Sequence, residues 1–399
     1  MKAPFFSAKR RTTLVAVIFL TTLAALLVGK LWADRQKQFW RFQAKTGAWG
    51  NLECVRIAVE MPEAFISLDE IKGVHAHWFF PGSREDAVKF LESAGLTAPQ
   101  LDSILKKSKW EQGQGGHWVS PSDKVVLSLS KSARQNIYSH LSHFPENVPQ
   151  NSPFIFREGL LPELLKNSEL SEATVSMFKS LLYQHDRLLL FADTDILVNS
   201  LPSDHEKFRF LKTISRTATL LVKLSVNEQS DVESLVDYWG YGGRSKDVRS
   251  LLKSMAAVPG GSMVDVAHLL PAFVRQRIYN YPNPDLVNVT NQHCHWSSMN
   301  FLNQIPDDRY SEETFVRQAV ETEFLPVNDA PRLGDVIFFL DGQGMVVHSA
   351  TYIADNIVFT KNGGGANRPW VYMEMEDLLS LYLKPREAMK TVIYRRKAV

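Results

Sequence analysis

The chain alternates between stretches whose apolar residues recur at helical spacing and stretches rich in β-branched and aromatic residues. "SREDAVKFLESAGL" begins with Ser83, carries Asp86 three positions later and stops near Gly95, which is the pattern of a helix with a capping box. "SLSKSARQNIYSHL" places Ile137 and Leu141 four residues apart on one stripe. Each of these two stretches is therefore predicted to form a helix.

The region that precedes residue 285 is predicted to be rich in helices. "SEATVSMFKSLLYQ" and "HEKFRFLKTISRTATLLVKL" repeat the helical periodicity, whereas "GVHAHWFF" and "SDKVVLSLS" are predicted as strands. The cluster Tyr281-Pro282-Asn283-Pro284 is the best candidate for a domain boundary, because Pro and Asn favour turns. Residues 34–284 are thus predicted to form a helix-rich domain of unknown role.

After this boundary the pattern changes towards strands. A helix is predicted to begin near Cys294, and "DVIFFLDGQGMVVHSATYIADNIVFTKNG" predicts several strands with turns at residues 341–344 and around Asp355. A helix in "MEDLLSLYL" and a strand in "KTVIYRR" close the chain. Residues 285–399 are therefore predicted to form an α+β domain in which a helix packs on an antiparallel sheet.

The N-terminus has the pattern of a membrane anchor. A basic tail over residues 1–11 precedes an uncharged stretch from Thr12 to Gly29, which Lys30 and Trp32 close. Such a stretch is long enough to span a bilayer, so residues 12–33 are predicted to be a transmembrane helix that makes the membrane a partner. A cleaved signal peptide is the alternative. Both interpretations place the main body on the exported, periplasmic or extracellular side of the cell membrane.

Composition narrows the class of protein. Lys and Arg number 45 against 43 Asp and Glu, a formal charge of +2, so no nucleic-acid partner is expected. The 399 residues contain two cysteines, which excludes a scaffold held by many disulfides. A single Cys54–Cys294 bridge and two free thiols both stay open.

Cys294 lies where a polar loop becomes an apolar helical run, "NQHCHWSSMNF". A thiol attacks as the thiolate, and the start of a helix favours negative charge, so this position suits a nucleophile. His348 is the only histidine beyond His295 and is predicted to be the base. A hairpin centred on Asp355 would place Asn362 opposite His348, where its amide would orient the imidazole.

Zinc binding is the alternative chemistry for the same segment. His293 and His295 would point the same way in an extended segment and could join His348 as ligands, and the alternating pair His75 and His77 raises a similar possibility. No pair of ligands with the usual close spacing follows, and the segment has the pattern of a helix start. We therefore predict neither a metal nor another cofactor.

The order of "HCHWSSMNF", "GDVIFF", "VVHSATYI" and "VFTKNG" resembles the NlpC-type papain-like cysteine peptidases and amidases. The resemblance covers residues 291–397, roughly a quarter of the chain. It implies that Cys294, His348 and a polar third residue hydrolyse an amide bond, often in cell-wall peptide, without a metal. Gln292 or the backbone amide of Cys294 would donate to the oxyanion. The chain departs from the family pattern in the histidines that flank the cysteine.

These patterns combine into one expectation of fold and two of function. The expected fold class is α+β, with a C-terminal papain-like domain preceded by a helix-rich domain and one N-terminal transmembrane helix. The expected function is that of a membrane-anchored, exported thiol hydrolase that cleaves an amide bond, with cell-wall peptide as the expected substrate class. The alternative is an envelope binding or scaffolding protein that keeps the papain-like fold without turnover.

Overall fold

The computed structural model describes residues 40–69, 71, 73–185, 188–283, 291–382 and 389–397. Sixteen strands lie within these ranges: β1 (Arg41–Gln43), β2 (Asn51–Val59), β3 (Trp78–Pro81), β4 (Lys109–Gly113), β5 (Gly116–Ser120), β6 (Phe154–Arg157), β7 (Tyr183–His185), β8 (Leu188–Phe191), β9 (Thr217–Val226), β10 (Ser262–Asp265), β11 (Phe324–Pro326), β12 (Val336–Leu340), β13 (Val346–Ala354), β14 (Ile357–Lys361), β15 (Trp370–Glu374) and β16 (Lys390–Arg396).

The same ranges contain the α-helices α1 (Arg84–Ser93), α2 (Ala98–Lys107), α3 (Asp123–Leu127), α4 (Lys131–Leu141), α5 (Val148–Asn151), α6 (Leu161–Leu165), α7 (Glu172–Leu181), α8 (Thr194–Ser200), α9 (Asp204–Ile214), α10 (Val232–Trp239), α11 (Ser245–Ala256), α12 (Ala272–Arg275), α13 (Cys294–Met299), α14 (Glu313–Glu323) and α15 (Met375–Tyr382).

The strands form four sheets. Their strand orders are β1-β2-β9-β10, β3-β5-β4, β6-β8-β7 and β11-β16-β12-β13-β14-β15. The pairs for which the register is defined, such as β3 with β5 and β12 with β16, are antiparallel. Three of the four sheets lie before residue 284, in the region that was predicted to be rich in helices.

The fold-class prediction is wrong in its transmembrane helix. The described part of the chain is a mixed α/β structure with several antiparallel sheets, and residues 40–283 contain ten of its strands. Across the described ranges, no helix combines the length and the apolar character needed to cross a bilayer. The anchor predicted at residues 12–33 lies outside the described residues, as does the boundary predicted at residues 284 and 285.

Two local predictions are wrong for identifiable reasons. "SDKVVLSLS" contains helix α3, in which the adjacent residues Val125 and Val126 are both buried. The residues from Thr217 to Leu224, predicted as part of a helix, lie in strand β9. Its buried apolar residues recur at every second position, which is the period of a strand. They are Leu220, Val222, Leu224 and Val226.

Other local predictions are confirmed. Helix α1 begins after Ser83, whose hydroxyl accepts a hydrogen bond from the amide of Asp86 while the Asp86 carboxylate accepts one from the amide of Ser83. Gly95, with φ of +88°, follows the end of this helix, where a left-handed residue commonly stops the helical ladder. Helices α4 and α15 and strand β16 also lie within the stretches predicted for them.

Contacts within the chain define two compact units. The described part of the first unit consists of residues 40–56, 220–271 and 353–356. The second unit takes its described residues from 57–219, 272–352 and 357–399 and contains most of the six-stranded sheet. Helix α13, which begins at Cys294, belongs to this second unit and packs on the six-stranded sheet.

Candidate functional site

Helix α13 is started by a histidine side chain. The Nδ1 atom of His293 accepts hydrogen bonds from the amides of His295 and Trp296, at 3.0 and 3.3 Å. An Nδ1 atom that accepts must be unprotonated, so the ring proton lies on Nε2, which donates to the carbonyl of Ser311 at 3.0 Å. His293 therefore acts as the N-cap of the helix that carries Cys294.

Cys294 is a free thiol at the first position of this helix. It keeps partial exposure to solvent, whereas the second cysteine, Cys54, is buried, and the alternative of a Cys54–Cys294 disulfide is not realised. Burial raises the pKa of the Cys294 thiol. The amide and hydroxyl of Ser349 act against this effect, because both favour the thiolate.

Ser349 connects the thiol to an imidazole. Its hydroxyl oxygen lies 2.8 Å from Nδ1 of His295, and the hydroxyl donates to that of Ser298 at 3.3 Å. All three residues are buried. Burial lowers the pKa of His295 to about 4, so this imidazole is neutral near pH 7. Ser349 thus favours the thiolate of Cys294 and lies at hydrogen-bond distance from His295.

His348, the predicted base, makes a different set of contacts. Its Nε2 atom lies 2.7 Å from the hydroxyl of Thr360, and its ring stacks on Tyr382 with centroids 4.2 Å apart. Successive side chains of a strand point to opposite faces, and the neighbouring Ser349 contacts helix α13. His348 therefore lies on the face of β13 away from that helix, and burial lowers its pKa to about 3.

The hydroxyl of Thr360 lies between the imidazole of His348 and Asn362, the predicted orienting residue. Its Oδ1 atom accepts a hydrogen bond from the hydroxyl of Thr360 at 3.3 Å, and its Nδ2 atom lies 3.1 Å from the sulfur of Met373. Thr360 takes the place beside His348 in which Asn362 was expected. Residues 360 and 362 are two positions apart, so they share one face of the strand.

A buried lysine lies on the other face of the same strand. Lys361 is 0% exposed, and its Nζ atom donates to the carbonyls of Gly363 and Gly365 at 2.7 and 3.0 Å. Burial lowers the pKa of Lys361 to about 8, while the charge of Cys294 acts in the opposite direction. A thiolate at Cys294 would thus lie within the electrostatic influence of a cation.

Tyr382 is influenced by both predicted catalytic residues. It stacks on His348, and the pKa of its phenol is raised first by burial and then by the charge of Cys294. Cys294 and His348 therefore share a neighbour, although no hydrogen bond between them occurs in the described part of the chain.

The remaining sequence predictions concern the oxyanion and a metal. Gln292 is partly exposed and precedes the helix by two residues, and the amide of Cys294 itself favours the thiolate.

His293 uses both ring nitrogens in hydrogen bonds to the protein, so it has no lone pair for zinc. Among the described residues, no group of three or more His, Cys, Asp or Glu side chains is arranged to hold a metal ion.

Comparisons with protein-family models, with curated proteins and with solved structures found no match for this chain. The papain-like resemblance therefore stays a prediction from four short motifs.

Four residues of the site were missed from the sequence: Ser349, Thr360, Lys361 and Tyr382. His295 was considered there only as a possible zinc ligand. Ser349 carries a usable signal, because it follows His348 directly and so must face the opposite side of the strand. Thr360 carries a similar signal, since it shares a face with Asn362. Tyr382 comes from helix α15, and nothing in its spacing indicates the contact with His348.

Proposed function

We propose that this chain is a thiol hydrolase that cleaves an amide bond with Cys294 as the nucleophile. The observation that carries the proposal is the Ser349 hydroxyl, which favours the thiolate of the partly exposed Cys294 and lies 2.8 Å from Nδ1 of the neutral imidazole of His295. A nucleophile, a route for its proton and a base are the minimum for such a reaction.

The proposed reaction has two stages. In the first, the sulfur of Cys294 bonds to the carbonyl carbon and its proton moves to the hydroxyl oxygen of Ser349, while the Ser349 hydroxyl proton turns from Ser298 to Nδ1 of His295. The C–N bond then breaks, and the amine leaves with that proton. In the second stage, water attacks the thioester, the S–C bond breaks, and a carboxylate and the free thiol result. An amine in place of water would give acyl transfer.

The raised pKa of the thiol defines the form that reacts. Because burial raises the pKa of Cys294 and lowers that of His295, the resting pair is a neutral thiol and a neutral imidazole. The proton would therefore move during the attack and not before it, as in general-base catalysis. His348 is neutral for the same reason and is the second candidate for the base.

Cell-wall peptide is the proposed substrate class. This finer part of the proposal rests on the resemblance to NlpC-type peptidases and amidases, which covers the motifs around Cys294, His348 and Asn362. The contacts of the site support an amide substrate.

A specific observation favours one second candidate, a protein that binds an envelope component without turnover. The raised pKa of Cys294 means that almost no thiolate exists near pH 7, and the imidazole of His348 is occupied by Thr360 and Tyr382. In such a protein the thiol and the imidazoles would serve packing alone.

The proposal is tested by following new peptide ends in purified peptidoglycan with five variants. Cys294→Ser should abolish release, and His295→Gln and Ser349→Ala should each lower it about a hundredfold or more, as loss of a general base does. Exposed His205→Gln is the matched control and should retain the wild-type rate. If His348→Gln lost the release activity and His295→Gln kept it, His348 would be the base, as predicted from the sequence. Binding without release in every protein would support the second candidate.

A further inference from the structure

A cavity of about 210 Å³ lies in the second unit, at the start of strand β3 and the start of helix α8. Its walls include Trp78, Trp118, Gln150, Asp193 and Asp195. For comparison, an engineered cavity of about 150 Å³ admits benzene, so the volume suffices for a small organic molecule.

The carboxylates on the walls outnumber any fixed positive charge. Glu146, Asp193 and Asp195 line the cavity, and none of the described residues that line it is Lys or Arg. Asp193 is already paired with the buried guanidinium of Arg134. Asp195 and Glu146 are therefore the carboxylates available to a ligand.

Two of these polar groups lack partners within the described part of the chain. Gln150 is only 5% exposed, and its Oε1 atom accepts no hydrogen bond there. Asp195 is half-buried and likewise has no ion-pair or hydrogen-bond partner among the described residues, and burial raises the pKa of its carboxyl group. A buried acceptor without a donor is unfavourable, so both oxygens would gain from a ligand that carries N–H groups.

Aromatic rings complete the walls. Trp78 is buried, and the ring of His77 packs on that of Trp118 with centroids 4.2 Å apart. Indole faces attract cations and also cover alkyl groups. Carboxylates, a free carbonyl oxygen and indoles together match an alkyl chain that ends in an ammonium group.

We propose that this cavity binds a small primary alkylammonium compound, with the ammonium group at Asp195 and Gln150 and the alkyl chain against Trp78 and Trp118. The proposal is independent of the thiol chemistry, because it uses none of the residues assigned to that site.

The test is calorimetric titration of the full chain with n-butylammonium chloride. Butyrate, which lacks the positive charge, and tetramethylammonium, which lacks N–H donors, serve as comparison ligands. Saturable binding of n-butylammonium alone is expected. Asp195→Asn and Trp118→Leu should each weaken it about tenfold, a change that calorimetry resolves. Exposed Asp247→Asn, which removes the same charge elsewhere, should leave the affinity unchanged.

Absence of saturable binding at millimolar n-butylammonium would overturn the proposal. Equal binding of tetramethylammonium would also overturn it, since it would show that charge and not N–H donation selects the ligand. If Asp195→Asn and Asp247→Asn weakened binding alike, the effect would be one of net charge and the cavity would not be the site.

Discussion

Among the individual residues of the candidate site, hydroxyl groups lie between the titratable side chains. Ser349 lies between Cys294 and His295, and Thr360 lies between His348 and Asn362. The sequence indicated the cysteine, the histidine and the asparagine because these residue types carry chemistry. Serine and threonine are common strand and turn residues, so their roles depend on the packing around them.

Replacing Thr360 tests the contact with His348. Thr360→Val keeps the shape and leaves the buried Nε2 of His348 without a partner, which should lower the free energy of unfolding by about 1–3 kcal/mol. Thr360→Ser keeps the hydroxyl and should retain most of the stability. Chemical denaturation measures both. A Val variant as stable as the wild type would show that the hydrogen bond contributes nothing.

The buried imidazole of His348 should make the protein sensitive to acid. Its pKa is about 3 in the folded chain against 6.5 for an ordinary histidine, so between these values the unfolded chain binds more protons. The free energy of unfolding should then fall as the pH drops from 6.5 towards 3, by up to about 1.4 kcal/mol per pH unit. Denaturation of wild type and His348→Gln at several pH values measures this. Equal slopes would contradict the assignment.

The start of helix α13 is stabilised by its N-cap, the side chain of His293. Two amides at the start of the helix donate to Nδ1 of His293. His293→Ala should lower the free energy of unfolding by about 1 kcal/mol and shift the position of Cys294, whereas His293→Asn restores a good capping residue. Denaturation together with the alkylation rate of Cys294 is the measurement. Indistinguishable Ala and Asn variants would mean that the cap is not supplied by this side chain.

Prediction of helices and strands from sequence succeeded where a local signal decides the structure. Ser83 and Asp86 fix the start of α1 through short-range hydrogen bonds, so their spacing was enough. The helix predicted over residues 217–224 is wrong because strand β9 there depends on pairing with β2 and β10, and β2 lies far earlier in the chain, at Asn51–Val59. Such distant partners are not visible in a short window of sequence.

At the scale of the whole described chain, each of the two compact units is built from segments that lie far apart in the sequence. The first combines residues 40–56, 220–271 and 353–356, and its sheet joins β1 and β2 to β9 and β10, which lie much later in the chain. The boundary predicted near residue 284 lies outside the described residues and stays a prediction. Strand pairing between distant segments carries the information that defines the units.

The core of the second unit contains a buried ion pair that should matter for global stability. The guanidinium of Arg134 and the hydroxyl of Tyr138 both donate to the carboxylate of Asp193, and all three side chains are buried. Arg134→Met should lower the free energy of unfolding by about 3–5 kcal/mol, because it leaves a buried carboxylate unpaired. Arg134→Met with Asp193→Leu should recover part of the loss. Arg249→Met, which breaks a solvent-exposed pair with Glu233, is the control and should cost less than about 1 kcal/mol.

If the single and double variants at Arg134 and Asp193 lost stability additively, the pair would not be coupled. Chemical denaturation of the four proteins of this cycle gives the coupling free energy directly.

The proposed function requires that the sulfur of Cys294 form a covalent bond with the acyl part of its substrate. The decisive measurement is the mass of the peptide that contains Cys294 after the full chain is mixed with purified peptidoglycan fragments and quenched in acid. An added acyl mass on Cys294 is expected in the wild type and none in Cys294→Ser. Release of new peptide ends with no adduct, or equal release by both proteins, would contradict it.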